Sequence, residues 1–151
     1  VFDVRLLIEP FNPNPAVDAL AKQNPEAGGI ASFVGQVRAG GVKALELSHY
    51  EPLTLPSMEA LAREATRRFE LLGIVMIHRS GEMQPGEPIV CVAAAAAHRR
   101  GAIQAVDFCM DHLKSAAWFW KRELREDGWH WIEPRSDDYT DLARWETNPD
   151  N

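Results

Sequence analysis

The stretch Ala97–Glu123, AHRRGAIQAVDFCMDHLKSAAWFWKRE, constrains this chain more than any other. It opens on three adjacent side chains that can carry positive charge, His98, Arg99 and Arg100. Ile103, Val106, Met110 and Leu113 then recur at three- and four-residue steps, which predicts one buried helical face. Lys114 falls near the helix C-terminus, and Lys121 follows in an aromatic-rich run. A cation in the last turn suits the helix dipole, so Lys114 has a purely structural explanation. Positive charge at the helix start opposes the dipole. A bound anion there would resolve that conflict, and a solvated helix start is the alternative.

The chain has 151 residues, enough for one domain with a real core. A single domain over residues 1–151 is expected, with 146–151 as a frayed tail that has almost nothing to bury. Hydrophobic residues make up 46% and charged residues 25%, the balance of a soluble globular protein. The net charge of −6 disfavours wholesale nucleic-acid binding. Cys91 and Cys109 sit in apolar runs without metal spacing and read as reduced core residues. No apolar run reaches membrane-spanning length and no signal peptide is evident, so the expected location is cytoplasmic.

In chain order, Phe2, Val4, Leu6 and Ile8 alternate as a half-buried strand. Asn14-Pro15 starts a short helix over Ala16–Gln23. Ile30–Val37 is a second strand, in which Gly35 predicts a bulge or a close backbone approach. Gly40-Gly41 marks a turn before a third strand, Lys43–Tyr50. His49 on that strand reads as a structural histidine, because no second ligand lies at metal spacing. Pro56 is expected to open a helix running to about Leu72 on the stripe Met58, Leu61, Ala65, Phe69 and Leu72, with Gly73 as its C-terminal glycine.

Ile74–His78 is a short strand, Ser80–Pro88 is dense in turn formers, and Ile89–Ala97 is a buried strand. Its Ala94–Ala97 end fits either tight helix-on-sheet packing or close approach of another backbone. Beyond the central helix, Trp118–Leu124 and Trp129–Glu133 form a hairpin around Arg125–Gly128, with Phe119, Lys121 and Glu123 on one face. A last short helix is expected over Asp137–Trp145.

Five blocks carry a resemblance: GGIASFVGQVR (Gly28–Arg38), HRSGEMQPGE (His78–Glu87), AHRR (Ala97–Arg100), DHLK (Asp111–Lys114) and FWKRE (Phe119–Glu123). In order and spacing, over nearly the whole chain, they resemble the large, catalytic subunit of molybdopterin synthase. The resemblance implies an α+β protein, an α/β-hammerhead fold with an added antiparallel β subdomain. It implies a homodimer that carries two small, ubiquitin-like sulfur-carrier subunits as a heterotetramer, with no cofactor, no metal, no nucleic acid and no membrane. The implied reaction is a sulfur transfer. The thiocarboxylate on the C-terminal glycine of the small subunit converts cyclic pyranopterin monophosphate (precursor Z) into the dithiolene molybdopterin.

By the same resemblance Lys114 is the principal catalytic lysine and Lys121 the second. Arg38, His98 and Arg99 line the anion pocket, and Arg135, in IEPR, reaches the neighbouring subunit's site. The residue types suit the chemistry. Guanidinium groups hold phosphate, and a lysine crowded by other cations titrates below its reference value of about 10.4 and can act as acid or base. The helix separates His98 and Arg99 from Lys114 by roughly 20 Å, at about 1.5 Å per residue, so the expected pocket is composite and lies at the dimer interface.

Two departures stand out. Only Ala39–Val42 follow Arg38 where the family has a longer polar loop, and Ala116-Ala117 replace a proline, which predicts a less sharply defined helix end. Other readings of the residues are a non-catalytic phosphate- or nucleotide-binding module and a lysine enzyme that forms a Schiff base. The first gives no reason for Lys114 and Lys121 to fall within the matching blocks, and borohydride trapping on Lys114 with a carbonyl compound would support the second.

Overall fold

The computed structural model describes residues 1–115 and 118–146. Its elements run β1 (Phe2–Leu7), α1 (Asn14–Gln23), β2 (Gly29–Gln36), β3 (Ala44–His49), α2 (Glu51–Phe69), β4 (Gly73–Arg79), β5 (Gly81–Met83), β6 (Pro88–Ala96), α3 (Arg99–Ser115), β7 (Phe119–Arg125), β8 (Gly128–Ile132) and α4 (Ser136–Ala143). The strands form two four-stranded sheets, ordered β1-β4-β6-β2 and β5-β3-β7-β8. The protein is therefore α+β, with a separate antiparallel sheet, as expected.

The first sheet is covered on both faces, which explains why β4 and β6 read as continuous apolar runs rather than alternating ones. On one face Ile74, Met76, Val92, Ala94 and Ala96 meet α2 and α3 through Met58, Leu61, Ala65, Ala105 and Cys109. On the other face Val75, Ile77, Cys91, Ala93 and Ala95 meet Ala16 and Leu20 of α1. The alanine run thus serves tight packing. A Cβ on Gly28 would come within 2.1 Å of the Ala97 carbonyl oxygen, so only glycine lets β2 approach there.

The second sheet is antiparallel throughout, with β3 between β5 and β7, and β8 on the far side of β7. Leu45, Leu47 and Met83 form its small core with Val37, and Ile89 and Phe119 pack against them. Gly35 does sit at a register shift in the β2–β6 pairing.

Several expectations need correction. Helix α2 begins at Glu51, one turn and more before Pro56. Pro52 occupies its first turn, where a missing N–H costs nothing, and Pro56 lies inside the helix. The helix ends at Phe69, and Glu70, not Gly73, takes the left-handed cap at φ 52°. Gly73 instead opens β4 and Leu72 is exposed. The turn-rich stretch after Arg79 contributes the three-residue strand β5, paired with β3.

Phe2 at the start of β1 and Ile8, which lies beyond its end, are exposed, while Val4 and Leu6 pack inward. On α3 the buried face is Ala102, Ala105, Val106, Phe108, Cys109 and Leu113; Ile103 points outward and Met110 is half-buried. Small alanines, invisible to a search for large apolar residues, carry that helix–sheet contact. The helix end expected at Ala116-Ala117 and the tail over residues 147–151 lie outside the described residues.

Candidate active site

The C-terminal end of α3, the inner face of the second sheet and the ends of β2 and β6 enclose a cavity of about 170 Å³. Phe33, His78, Phe119, Ile132 and Pro134 are among its walls, and Lys114 and Lys121 both line it. Lys114 lies in the last turn of α3 and is exposed. Lys121 lies on β7, on the same face as Phe119, and is half-buried. Strand β7 is held by β3 on one side and β8 on the other, with Lys121 opposite Leu47 and Ile132. A lysine placed in the middle of three strands has little freedom of position.

Burial holds the Lys121 ammonium below the ordinary lysine range. The positive charges of Lys114 and Arg38 push the same way, against Glu123 and Asp138. A lysine shifted in this direction is more readily deprotonated, as acid–base or nucleophilic chemistry requires. Asp138 comes from α4, where its carboxylate caps the helix by accepting the Arg135 N–H at 2.9 Å. Its carbonyl accepts the Ser115 hydroxyl at 2.9 Å, which ties α4 to the end of α3 beside Lys114.

The remaining sequence candidates do not line this cavity. Arg38 follows β2, exposed, close enough for its charge to reach Lys121. His98 and Arg99 are exposed at the opposite end of α3, where Arg99 borders a small depression with Arg100, Ile103 and Gln104. Lys114 stands fifteen helical steps after Arg99, roughly 22 Å at the rise of an α-helix. Arg135 is exposed at the start of α4, 3.8 Å from Asp137. Within one chain, then, the two lysines share the cavity, Arg38 acts on Lys121 through its charge alone, Arg135 adjoins the lining residue Pro134 without lining the cavity itself, and His98 and Arg99 lie at the far end of α3.

His49 is structural, as expected: its ring nitrogens bond to the Ser80 hydroxyl and the Glu51 carboxylate, each at 2.7 Å. Among the described residues no group of His, Cys, Asp and Glu side chains could hold a metal ion. None of the described helices is long and apolar enough to cross a membrane. Sequence reasoning gave no role to His78, which the structure places in the cavity wall, stacked on Phe119 with ring centroids 3.9 Å apart.

The MoaE protein family matches residues 7–116. The molybdopterin synthase catalytic subunit of Caulobacter vibrioides is 45% identical over 145 residues, covering 95% of this chain and 97% of that protein. The molybdopterin biosynthesis MoaE protein from Burkholderia ambifaria superposes with a TM-score of 0.82 at 41% identity, covering 97% of this chain and 99% of that one. A Helicobacter pylori structure, described as the complex of subunits 1 and 2 of molybdopterin-converting factor, shares the fold with a TM-score of 0.72 at 21% identity, covering 88% and 92%. Both lysines stand in a fold and a sequence frame shared almost end to end with these proteins, and the chain belongs to the MoaE family, the catalytic subunits of molybdopterin synthase, which is a sulfurtransferase.

Proposed function

We propose that this catalytic subunit takes sulfur from the thiocarboxylated C-terminal glycine of a small ubiquitin-like subunit and delivers it to cyclic pyranopterin monophosphate in the cytoplasm, building the dithiolene of molybdopterin. The observation that carries this reading is the pairing of Lys114 and Lys121 in one cavity, with the Lys121 ammonium destabilised by burial and by its cationic neighbours. Lys114, exposed in the last turn of α3, holds the incoming thiocarboxylate. Once the thiocarboxylate sulfur has bonded to the substrate and water attacks the carbonyl carbon of the resulting thioester, Lys114 stabilises the oxyanion and exchanges a proton with the reacting groups as the acyl C–S bond breaks and the carboxylate leaves. Lys121 exchanges protons with the reacting groups from deeper in the wall.

The cavity volume of about 170 Å³ is small against the several hundred cubic ångströms usual for ligand sites. A tricyclic pterin with its phosphate must extend beyond it. We assign the phosphate end to anion-holding groups outside: Arg38 from the same chain, and His98, Arg99 and Arg135 through a homodimer in which a second copy brings its residues alongside. The small subunit docks on each copy, giving a heterotetramer. The Helicobacter pylori structure, described as a complex of subunits 1 and 2 of molybdopterin-converting factor, supports pairing with a second kind of subunit.

Incubation of the protein with precursor Z and a thiocarboxylated small subunit, followed by detection of molybdopterin, tests the reading. Product is expected; none with a partner known to be competent rejects it. Sedimentation tests the assembly, and a monomer alone at micromolar concentration rejects the composite site.

A further inference from the structure

The roles given to the two lysines leave His78 unused, although it stands in the wall of the same cavity. It belongs to β4, is almost wholly buried, and lies nearly parallel to Phe119, with 19° between the ring planes. Its Nδ1 lies 3.0 Å from the Arg79 carbonyl oxygen. A carbonyl only accepts, so Nδ1 carries the proton and Nε2 keeps a lone pair. Among the described residues, no hydrogen bond reaches Nε2, yet the enclosed side-chain polar atom left without a partner is Arg79 Nε and not this one. Nε2 is therefore not enclosed, and the open space that this side chain lines is the cavity.

Burial pushes the ring's pKa down to about 4, and the Lys114 charge adds to the effect against the hydrogen bond to Arg79. The imidazole is neutral at physiological pH and stays an acceptor. The other polar side chains of this wall are Gln36 at the end of β2, whose amide can donate or accept, and Lys114, Lys121 and Asp138. Lys114 and Lys121 donate as ammonium groups, and the Asp138 carboxylate already caps α4. A substrate that brought only negative charge would have no use for a neutral acceptor in this wall. A fused nitrogen heterocycle, with N–H groups on its edge, would.

We propose that His78 is a substrate-recognition residue, its Nε2 accepting a hydrogen bond from a ring N–H of the pterin while the lysines hold the reacting end. This rests on the reading that a pyranopterin enters the cavity.

Two variants and one spectroscopic measurement test it. Both His78→Phe and His78→Gln lose the donor to Arg79. Phenylalanine keeps a ring against Phe119 but has no acceptor, whereas the glutamine amide oxygen falls near the Nε2 position. His78→Phe is expected to weaken precursor Z binding and raise its KM about 10-fold, with kcat changed much less. His78→Gln should stay close to wild type, and inorganic phosphate should bind all three alike. In nitrogen-15 histidine-labelled wild type, which needs no variant to fold, the Nε2 resonance should move upfield on saturation with precursor Z and not with phosphate.

Unchanged binding in a folded His78→Phe, a loss confined to kcat, or an Nε2 resonance that does not move at saturation overturns the proposal. Turnover without the Nε2 shift rejects His78 alone. The shift without turnover rejects the sulfur-transfer reading and leaves His78 in place. No binding of precursor Z rejects both.

Discussion

The Thr54 hydroxyl donates a 2.8 Å hydrogen bond to the Trp118 carbonyl, and the same oxygen accepts the Tyr50 N–H at 3.1 Å. One fully buried side chain thus caps the start of α2 and pins the entrance of β7, the strand that carries Lys121. Thr54→Val keeps the shape and removes both bonds. It is expected to cost about 1–3 kcal/mol and to lower turnover as β7 loosens. A melting temperature equal to wild type would show that the link is idle.

Lys114→Ala is expected to abolish most turnover, by about 100-fold or more, while the fold and the small-subunit complex persist. Lys114→Arg should fail as well, because arginine keeps the charge but does not release its proton at neutral pH. Near-normal turnover in the arginine variant would mean that the lysine supplies charge alone.

Lys121 makes a prediction about stability. Its folded pKa lies below the ordinary lysine value of about 10.4, so the folded state holds its proton less tightly than the unfolded state. At neutral pH the protonated, half-buried ammonium is a burden on the fold. That burden lifts as pH rises from the lowered value to the ordinary one. Lys121→Met should therefore raise the melting temperature at pH 7, with the gain shrinking toward pH 10.5, while turnover is lost. A gain that does not vary with pH would point to packing instead.

His78 has the same sign in another window. Its pKa of about 4 in the fold, against 6.5 in an exposed ring, contributes roughly 3 kcal/mol of stability above pH 6.5. This contribution declines as pH falls through 6.5 and is gone below 4. Urea midpoints measured across that range should fall with pH, and the His78→Gln curve should be flatter there.

Burial raises both thiols, Cys109 to about 12 and Cys91 in the same direction. Neither forms the thiolate that a sulfur carrier needs. Replacing both by Ala or Ser should leave sulfur transfer largely intact apart from a packing penalty. Complete loss of activity in a well-folded double variant would make this chain a carrier of sulfur itself.

Much of this architecture was legible from local pattern. The helix over Arg99–Ser115, the hairpin around Glu126-Asp127 and the bulge at Gly35 follow from periodicity and turn chemistry. The start of α2 did not, because Pro52 and Pro56 both read as openers in sequence, and the contact of Thr54 with Trp118, just before β7 and far along the chain, is not visible there. Strand β5 escaped notice because three residues show no period.

The lysines were legible through the blocks around them, whereas their sharing of one cavity depends on β7 folding back along β3. His78 lay in view within HRSGEMQPGE, yet only its stacking on Phe119 and its bond to Arg79 give it chemistry.

Strand β1 pairs in parallel with β4, Phe2 beside Ile74 through Leu7 beside Arg79. This sets an order of events during synthesis. The segment is made well before its partner, and closing so long a loop is entropically costly and slow. It must remain harmless in the meantime. Asp3 and Arg5, joined at 2.9 Å on the face of the strand opposite Val4 and Leu6, supply charge to a sequence that would otherwise invite mispairing while it waits on the ribosome. Replacing both by valine would leave the finished fold nearly unchanged and make its assembly far more hazardous.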